Sequence, residues 1–235
     1  MPPAIYQREI AAARELGLPV TVHACGPRTA RGQIGTLAAA GLLGPDLQVV
    51  HANCASDAEI AALAGAGCPV SLSPFSELLI GYGLPRTAEL LAAGPPVGLS
   101  VDTTALTGNA DMFAIMKLTQ GLVNAGAADE FAMTAGQALA FGTIMGARSL
   151  GLGAVTGSLT PGKEADLILV DTDAPNLAVF TGPAQMLVAA AQPANVRTVL
   201  CAGRFLKRDG ALVTMDAAEV GAAARAALAG VRARA

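Results

Sequence analysis

The sequence predicts an α/β protein in which strand–helix repeats build a parallel sheet and a small antiparallel β-unit follows. Three observations carry this. Between residues 18 and 101, short apolar runs of strand length alternate with helix-length stretches across loops of a few residues, the rhythm of right-handed parallel βαβ units. Three of the apolar runs end abruptly on a polar, chemistry-bearing residue: His23, His51 and Asp102. Beyond residue 155 the pattern changes to turn clusters and hairpin-length strands.

Composition supports a large core. Hydrophobic residues make up 53% of the 235 residues and charged ones 14%, which argues against disorder as the general state. The net charge of −3 comes without a basic cluster, so a nucleic-acid partner is not expected. No apolar run reaches membrane-spanning length, and no charged segment precedes an apolar one at the N-terminus, so neither a membrane partner nor a secretory leader is expected. Cys25, Cys54, Cys68 and Cys201 show no CxxC spacing and read as free thiols of a cytoplasmic protein.

In chain order, residues 5–16 read as a helix, with Pro2 and Pro3 suited to its first turn and Gly17 to its end. Residues 18–22 form the first strand, 29–40 a helix closed by Gly41, and 47–50 the second strand. Ser56 and Glu59 have the spacing of a capping box and open a helix to Ala64. A third strand at 69–72, a helix at 85–93 and a fourth strand at 97–101 complete four repeats, half the number in an eight-stranded barrel. Residues 111–124 and a longer stretch, 134–150, read as helices, the second with Thr134 as N-cap. A strand at 165–171 follows. Residues 196–201 and 204–207 make a hairpin about Ala202–Gly203, and Asp209–Gly210 turns into residues 211–213. From Ala217 to the end, an Ala- and Arg-rich helix is expected on the surface of this sheet.

In a parallel α/β protein, polar residues at the C-terminal ends of strands sit where ligands bind. His23 and His51 are the only histidines, and with Asp102 they form a set suited to metal ligation or to general acid/base work. A single histidine at a strand end is otherwise a hydrogen-bonded structural residue. Cys25, two residues after His23, invites a Cys–His nucleophile reading, but it lies past the strand and no third, orienting group is evident. Ser76 and Glu77 either line a substrate pocket or cap the next turn.

The ordered series of motifs resembles the C-terminal part of the metal-dependent amidohydrolase superfamily, in its cytosine deaminase, adenosylhomocysteine deaminase and chlorotriazine hydrolase branch. The residues are Val22-His23, Val49-Val-His51-Ala-Asn53 with Ser56-Asp-Ala-Glu59, Ser73-Pro-Phe-Ser76 with Gly81-Tyr-Gly-Leu-Pro85, Gly98-Leu-Ser-Val-Asp102 with Asp111-Met112, and Thr143 to Gly151 with Gly157 to Asp166. The resemblance implies strands five to eight of a (β/α)8 barrel over residues 1–154, part of a composite β-sandwich over 155–214, and a C-terminal helix over 215–235. It implies hydrolysis of a carbon–nitrogen, non-peptide bond in a small substrate, cyclic ones included, in a deaminase-like reaction. His23 and Asp102 would ligate one divalent ion, zinc or iron. His51 would polarise the attacked group, Asp102 would take the proton of the attacking water, and His51, Ser76 and Glu77 would face the substrate.

Two features depart from the pattern. No His-x-His pair occurs, and the position three after His23, where the branch carries a glutamate, is Gly26. The alternative reading is therefore an inactive fragment or a partner-dependent half-barrel. A homo-oligomer or a complementing N-terminal half is the expected partner.

Overall fold

The computed structural model describes residues 2–179 and 182–234. Helix α1 (Pro3–Glu15) starts on Pro3, where a missing N–H costs nothing, and ends before Gly17 at φ +67°. β1 (Val20–Ala24) leads through a 3₁₀ turn at Arg28–Ala30 into α2 (Gln33–Ala39), then β2 (Leu47–His51), α3 (Asp57–Gly65) and β3 (Val70–Leu72). Two short helices follow, α4 (Pro74–Leu79) and α5 (Thr87–Ala93), then β4 (Val97–Leu99), α6 (Thr104–Thr107) and α7 (Met112–Ala127). The rest comprises α8 (Ala135–Phe141), α9 (Ile144–Ser149), β5 (Leu167–Val170), α10 (Pro183–Ala189), β6 (Val196–Cys201), β7 (Arg204–Arg208), β8 (Ala211–Leu212) and α11 (Ala217–Arg232).

β1 to β4 form a parallel sheet in sequence order, so β1 and β4 are its edges. Its apolar residues Leu47, Val49, Val70, Leu72 and Val97 are buried, together with Ile34, Leu37, Ile60, Leu63 and Leu90 from α2, α3 and α5. Each buried aliphatic side chain of this size contributes about 1.5–3 kcal/mol, and these contacts fix the strand register: Val20 opposite Leu47, Val49 opposite Val70, Val70 opposite Val97.

The expected capping box is present. Ser56 Oγ accepts from Glu59 N at 3.3 Å, and the Glu59 carboxylate accepts from Ser56 N at 2.9 Å. Glu59 also accepts from Gly35 N at 2.8 Å, tying the start of α3 to the start of α2. Asp111 caps α7 through Phe113 N and Ala114 N.

The helix expected over 134–150 is two helices, α8 and α9, broken at Gly142–Thr143. Thr143 lies at φ −132°, ψ −105°, outside helical space. Gly142 lies against α7, where a Cβ would come within 2.5 Å of Met116 Sδ, so tertiary packing sets the break. α9 in turn lies against β4: a side chain at Gly98 would collide with Ser149, and Gln48 Nε2 donates to Ser149 O at 3.1 Å.

β5 to β8 form an antiparallel sheet in sequence order. Both expected two-residue turns occur, with Ala202 and Gly203 at φ +48° and +75° and Asp209 and Gly210 at +49° and +87°, the paired positive values of a type I′ hairpin. A cavity of about 1090 Å³ opens between this sheet and α7 to α9, lined by Phe113, Met116 and Phe141 on one side and Leu167, Leu169 and Val199 on the other. Neither histidine lines it. No residue of α11 is buried, so the helix expected to pack on the sheet is open to solvent along its length. No helix among the described residues is long and apolar enough to cross a membrane.

Candidate active site

The sheet gathers the expected residues at the C-terminal ends of its strands. His23 is the penultimate residue of β1, His51 the last of β2, and Asp102 follows β4 by three residues. In register, Ala24 rather than His23 lies opposite His51. Regular alternation would therefore put the two histidines on opposite faces of the sheet. His51, however, lies at φ +80°, and this turn of the chain brings its ring to 5.0 Å, centroid to centroid, from the ring of His23.

Positive φ at a non-glycine residue costs about 1–2 kcal/mol. Here it recurs at Cys25 (+52°), His51, Ala52 (+56°) and Asp102 (+63°). Ala128 after α7 and the hairpin residues Ala202 and Asp209 share it, but the first four fall together at the ends of the three strands that carry the candidate residues, a clustering common at functional sites. Asp102 is held in its turn by a bond from its N–H to Ser100 Oγ at 2.9 Å.

His51 is 4% exposed and is gripped from two sides. Its Nδ1 lies 3.1 Å from Glu77 Oε1, and the Tyr82 ring stands perpendicular to its own, 5.2 Å between centroids. Glu77 is fully buried, and Ser73 N donates to the same Oε1 at 2.8 Å. α4, one and a half turns long, starts at the tip of β3 and so carries the carboxylate back over that tip. Ser76 is also fully buried, and its hydroxyl donates to Ser73 O at 3.1 Å.

Glu77 Oε2, Ser73 Oγ and both polar atoms of the Asn53 side chain are buried without a hydrogen-bond partner among the described residues. Such atoms cost about 1–3 kcal/mol each when unsatisfied. Their concentration at the tips of β2 and β3 marks a polar region built for more than packing.

His23 is exposed and Asp102 half-buried, and imidazole with carboxylate suits a borderline divalent cation. Among the described residues, however, no three His, Cys, Asp or Glu side chains come together as a metal site. His23 and Asp102 stand at the ends of the two edge strands, β1 and β4. A catalytic divalent ion takes three protein ligands plus an open position, so this chain's own donor set is incomplete.

Cys25 is no nucleophile. It is fully buried, its Sγ donates to Glu59 Oε1 at 3.5 Å, and burial pushes its thiol up to about 11, away from the reactive thiolate. Cys68, also fully buried, is pushed up to about 11 for the same reason.

No local pattern links His51 to Glu77 or Tyr82, which lie 26 and 31 positions further along the chain, and the pairing depends on α4, a short helix without a sequence signature of its own.

A parallel sheet with histidines and an aspartate at its strand ends, followed by an antiparallel sheet, makes the chain an α/β protein with its polar, chemistry-bearing residues at the C-terminal ends of the parallel strands. The amidohydrolase family matches residues 3–206, and the chain belongs to that family. A 5′-deoxyadenosine deaminase of Methanothermobacter thermautotrophicus is 36% identical over 176 residues, covering 75% of this chain and 41% of the relative. A 5-methylthioadenosine/S-adenosylhomocysteine deaminase of Syntrophobacter fumaroxidans is 35% identical over 193 residues, covering 82% and 44%. An adenosine deaminase from Xanthomonas campestris, solved with bound zinc, superposes with a TM-score of 0.94 at 29% identity, over 98% of this chain and 54% of that one. A zinc complex of atrazine chlorohydrolase from Arthrobacter aurescens shares the fold, with a TM-score of 0.80 at 21% identity over 92% and 50%. The chain thus spans about half the length of the relatives it matches.

Proposed function

We propose that this chain is part of a metal-dependent hydrolase acting on a carbon–nitrogen bond of a small, aminated substrate, in a deaminase-like reaction. The observation that carries it is the pair of histidine rings 5.0 Å apart at adjacent strand ends, with Asp102 at the end of the fourth strand. In this reading β1 to β4 are strands five to eight of a (β/α)8 barrel, and the antiparallel sheet is part of a β-sandwich. The relatives named as deaminases of adenosine-type compounds support the substrate class.

Within the site, Asp102 takes the proton of the attacking water and His51 orients or polarises the group under attack, with Ser76 and Glu77 behind it on the substrate side. His23 and Asp102 are two ligands of a divalent ion, which when bound brings a water's pKa towards neutrality. Zinc is favoured over iron by the zinc-bound neighbours. The remaining ligands come from outside the described residues, from a complementing segment or a second copy.

A second reading, an inactive or partner-dependent fragment, is favoured by the missing third ligand. Ammonia release from an adenosine, cytosine and aminotriazine panel separates the two, with zinc supplied. Release that His51→Ala and Asp102→Asn both abolish supports the hydrolase; no release from folded protein supports the fragment.

A further inference from the structure

Glu77 is the most deeply buried carboxylate near the site, and its surroundings define what it can do. It is fully excluded from water, yet no Lys or Arg forms an ion pair with it among the described residues. Its Oε1 accepts from Ser73 N at 2.8 Å and lies 3.1 Å from His51 Nδ1. Oε1 accepts the backbone N–H through one lone pair and keeps a second, which as a carboxylate lone pair can accept from an Nδ1–H. One carboxylate oxygen, tied to the backbone of one strand end, thus meets the ring of a histidine on the neighbouring strand.

We propose that Glu77 is a positioning residue that commits His51 Nδ1 as a donor and so leaves Nε2 as the only atom of His51 able to meet the substrate. The inference rests on the hydrolase reading above and adds the group that makes His51 competent. In neutral His51, Nε2 then carries a lone pair. That lone pair can accept a hydrogen bond at the reacting centre while Glu77 holds the ring in place. Over the reaction a water O–H bond and the C–N bond break and a C–O bond and an N–H bond form; Asp102 takes the water proton and passes it to the departing nitrogen, and His51 stays neutral throughout.

A second contact holds the same geometry. The Tyr82 ring packs at right angles to that of His51, and Tyr82 N donates to Glu77 O at 2.9 Å. Space for that ring exists because residue 26 is glycine: a Cβ there would come within 2.7 Å of Tyr82 Cε2. The same short stretch of chain therefore supplies the carboxylate and the ring that fix His51.

The test is a nitrogen-15 spectrum of the imidazoles, which needs no turnover. With two histidines in the chain, His23→Ala assigns the signals. Neutral His51 should be the Nδ1–H tautomer with a slowly exchanging proton. Glu77→Gln, whose amide oxygen can still accept, should keep that tautomer, whereas Glu77→Leu should give a mixture. Where activity is present, Glu77→Leu should lower kcat roughly 10–100-fold, as loss of an orienting partner does, with KM nearly unchanged. An Nε2–H tautomer or an even mixture in the unmodified protein overturns the inference, as does an unchanged tautomer in Glu77→Leu. Absence of ammonia release with the Nδ1–H tautomer in place counts against the hydrolase reading and leaves the positioning role standing.

Discussion

Gly26 illustrates how much of the site depends on single atoms. Adding one methyl, Gly26→Ala, forces the Tyr82 ring away from His51, an overpacking that costs about 1–3 kcal/mol. A drop in melting temperature together with a shift of the His51 ring signals is expected; unchanged signals would show that Tyr82 does not sit where the geometry puts it. The cysteines offer an independent check. Burial holds the Cys25 and Cys68 thiols up to about 11, while Cys201 is exposed. Iodoacetamide at pH 8, read by peptide mass spectrometry, should label Cys201 well before Cys25 or Cys68 in the folded protein. Early labelling of Cys25 would contradict its burial beside Glu59. The candidate residues His23, His51 and Asp102 were legible because each interrupts an apolar run. The partnership of His51 with Glu77 was not, because no spacing rule links a strand end to a carboxylate on a short helix after the next strand.

Among the elements, α3 is the one whose start is most firmly fixed. Ser56→Ala removes one half of the capping box and should cost about 1 kcal/mol, a fall of about 2–4 °C in melting temperature for a chain of this size. Glu59 does more, since burial raises its pKa but the bonds from Ser56 and Gly35 N–H outweigh that and leave it below the ordinary value. A depressed carboxylate contributes stability that is complete above the unfolded value, about 4.3 for Glu, and is lost as pH falls through the folded one. Glu59→Gln should therefore destabilise the protein at pH 7 and flatten its acid-denaturation profile; a parallel profile would show that Glu59 is not the group involved. Strands were read within two residues because each is a short apolar run between turn signals. α4, α6 and α10 are too short, at four to seven residues, for a 3.6-residue period to show by itself, whereas α2, α5 and α8, of seven residues each, were legible from the strands, turns and caps that flank them. The break between α8 and α9 was invisible because Gly142 is there for the sake of Met116, which is remote in sequence.

The whole molecule presents two sheets with β1, β4, β5 and β8 as edges, and its antiparallel sheet and α11 expose Ile168, Leu169, Phe205, Leu206, Leu228 and Val231. Unpaired edges beside exposed apolar surface favour association, so sedimentation should show a species larger than the 23.4 kDa chain or steady loss to aggregates. A stable monomer would argue that the described surfaces need no cover. The parallel sheet and its attached antiparallel unit were legible from the change in hydrophobic period, whereas the cavity between the antiparallel sheet and α7 to α9 depends on packing no local pattern encodes. The central claim is that His23 and Asp102 are two ligands of a divalent ion whose remaining ligands lie elsewhere. Elemental analysis of the purified chain after zinc loading, with its mass in solution, tests this most directly. Zinc bound at one ion per completed site and lost in both His23→Ala and Asp102→Ala, with binding confined to an assembly larger than the monomer, is the expected result. No zinc in a soluble, folded assembly, or zinc that survives both substitutions, would contradict it.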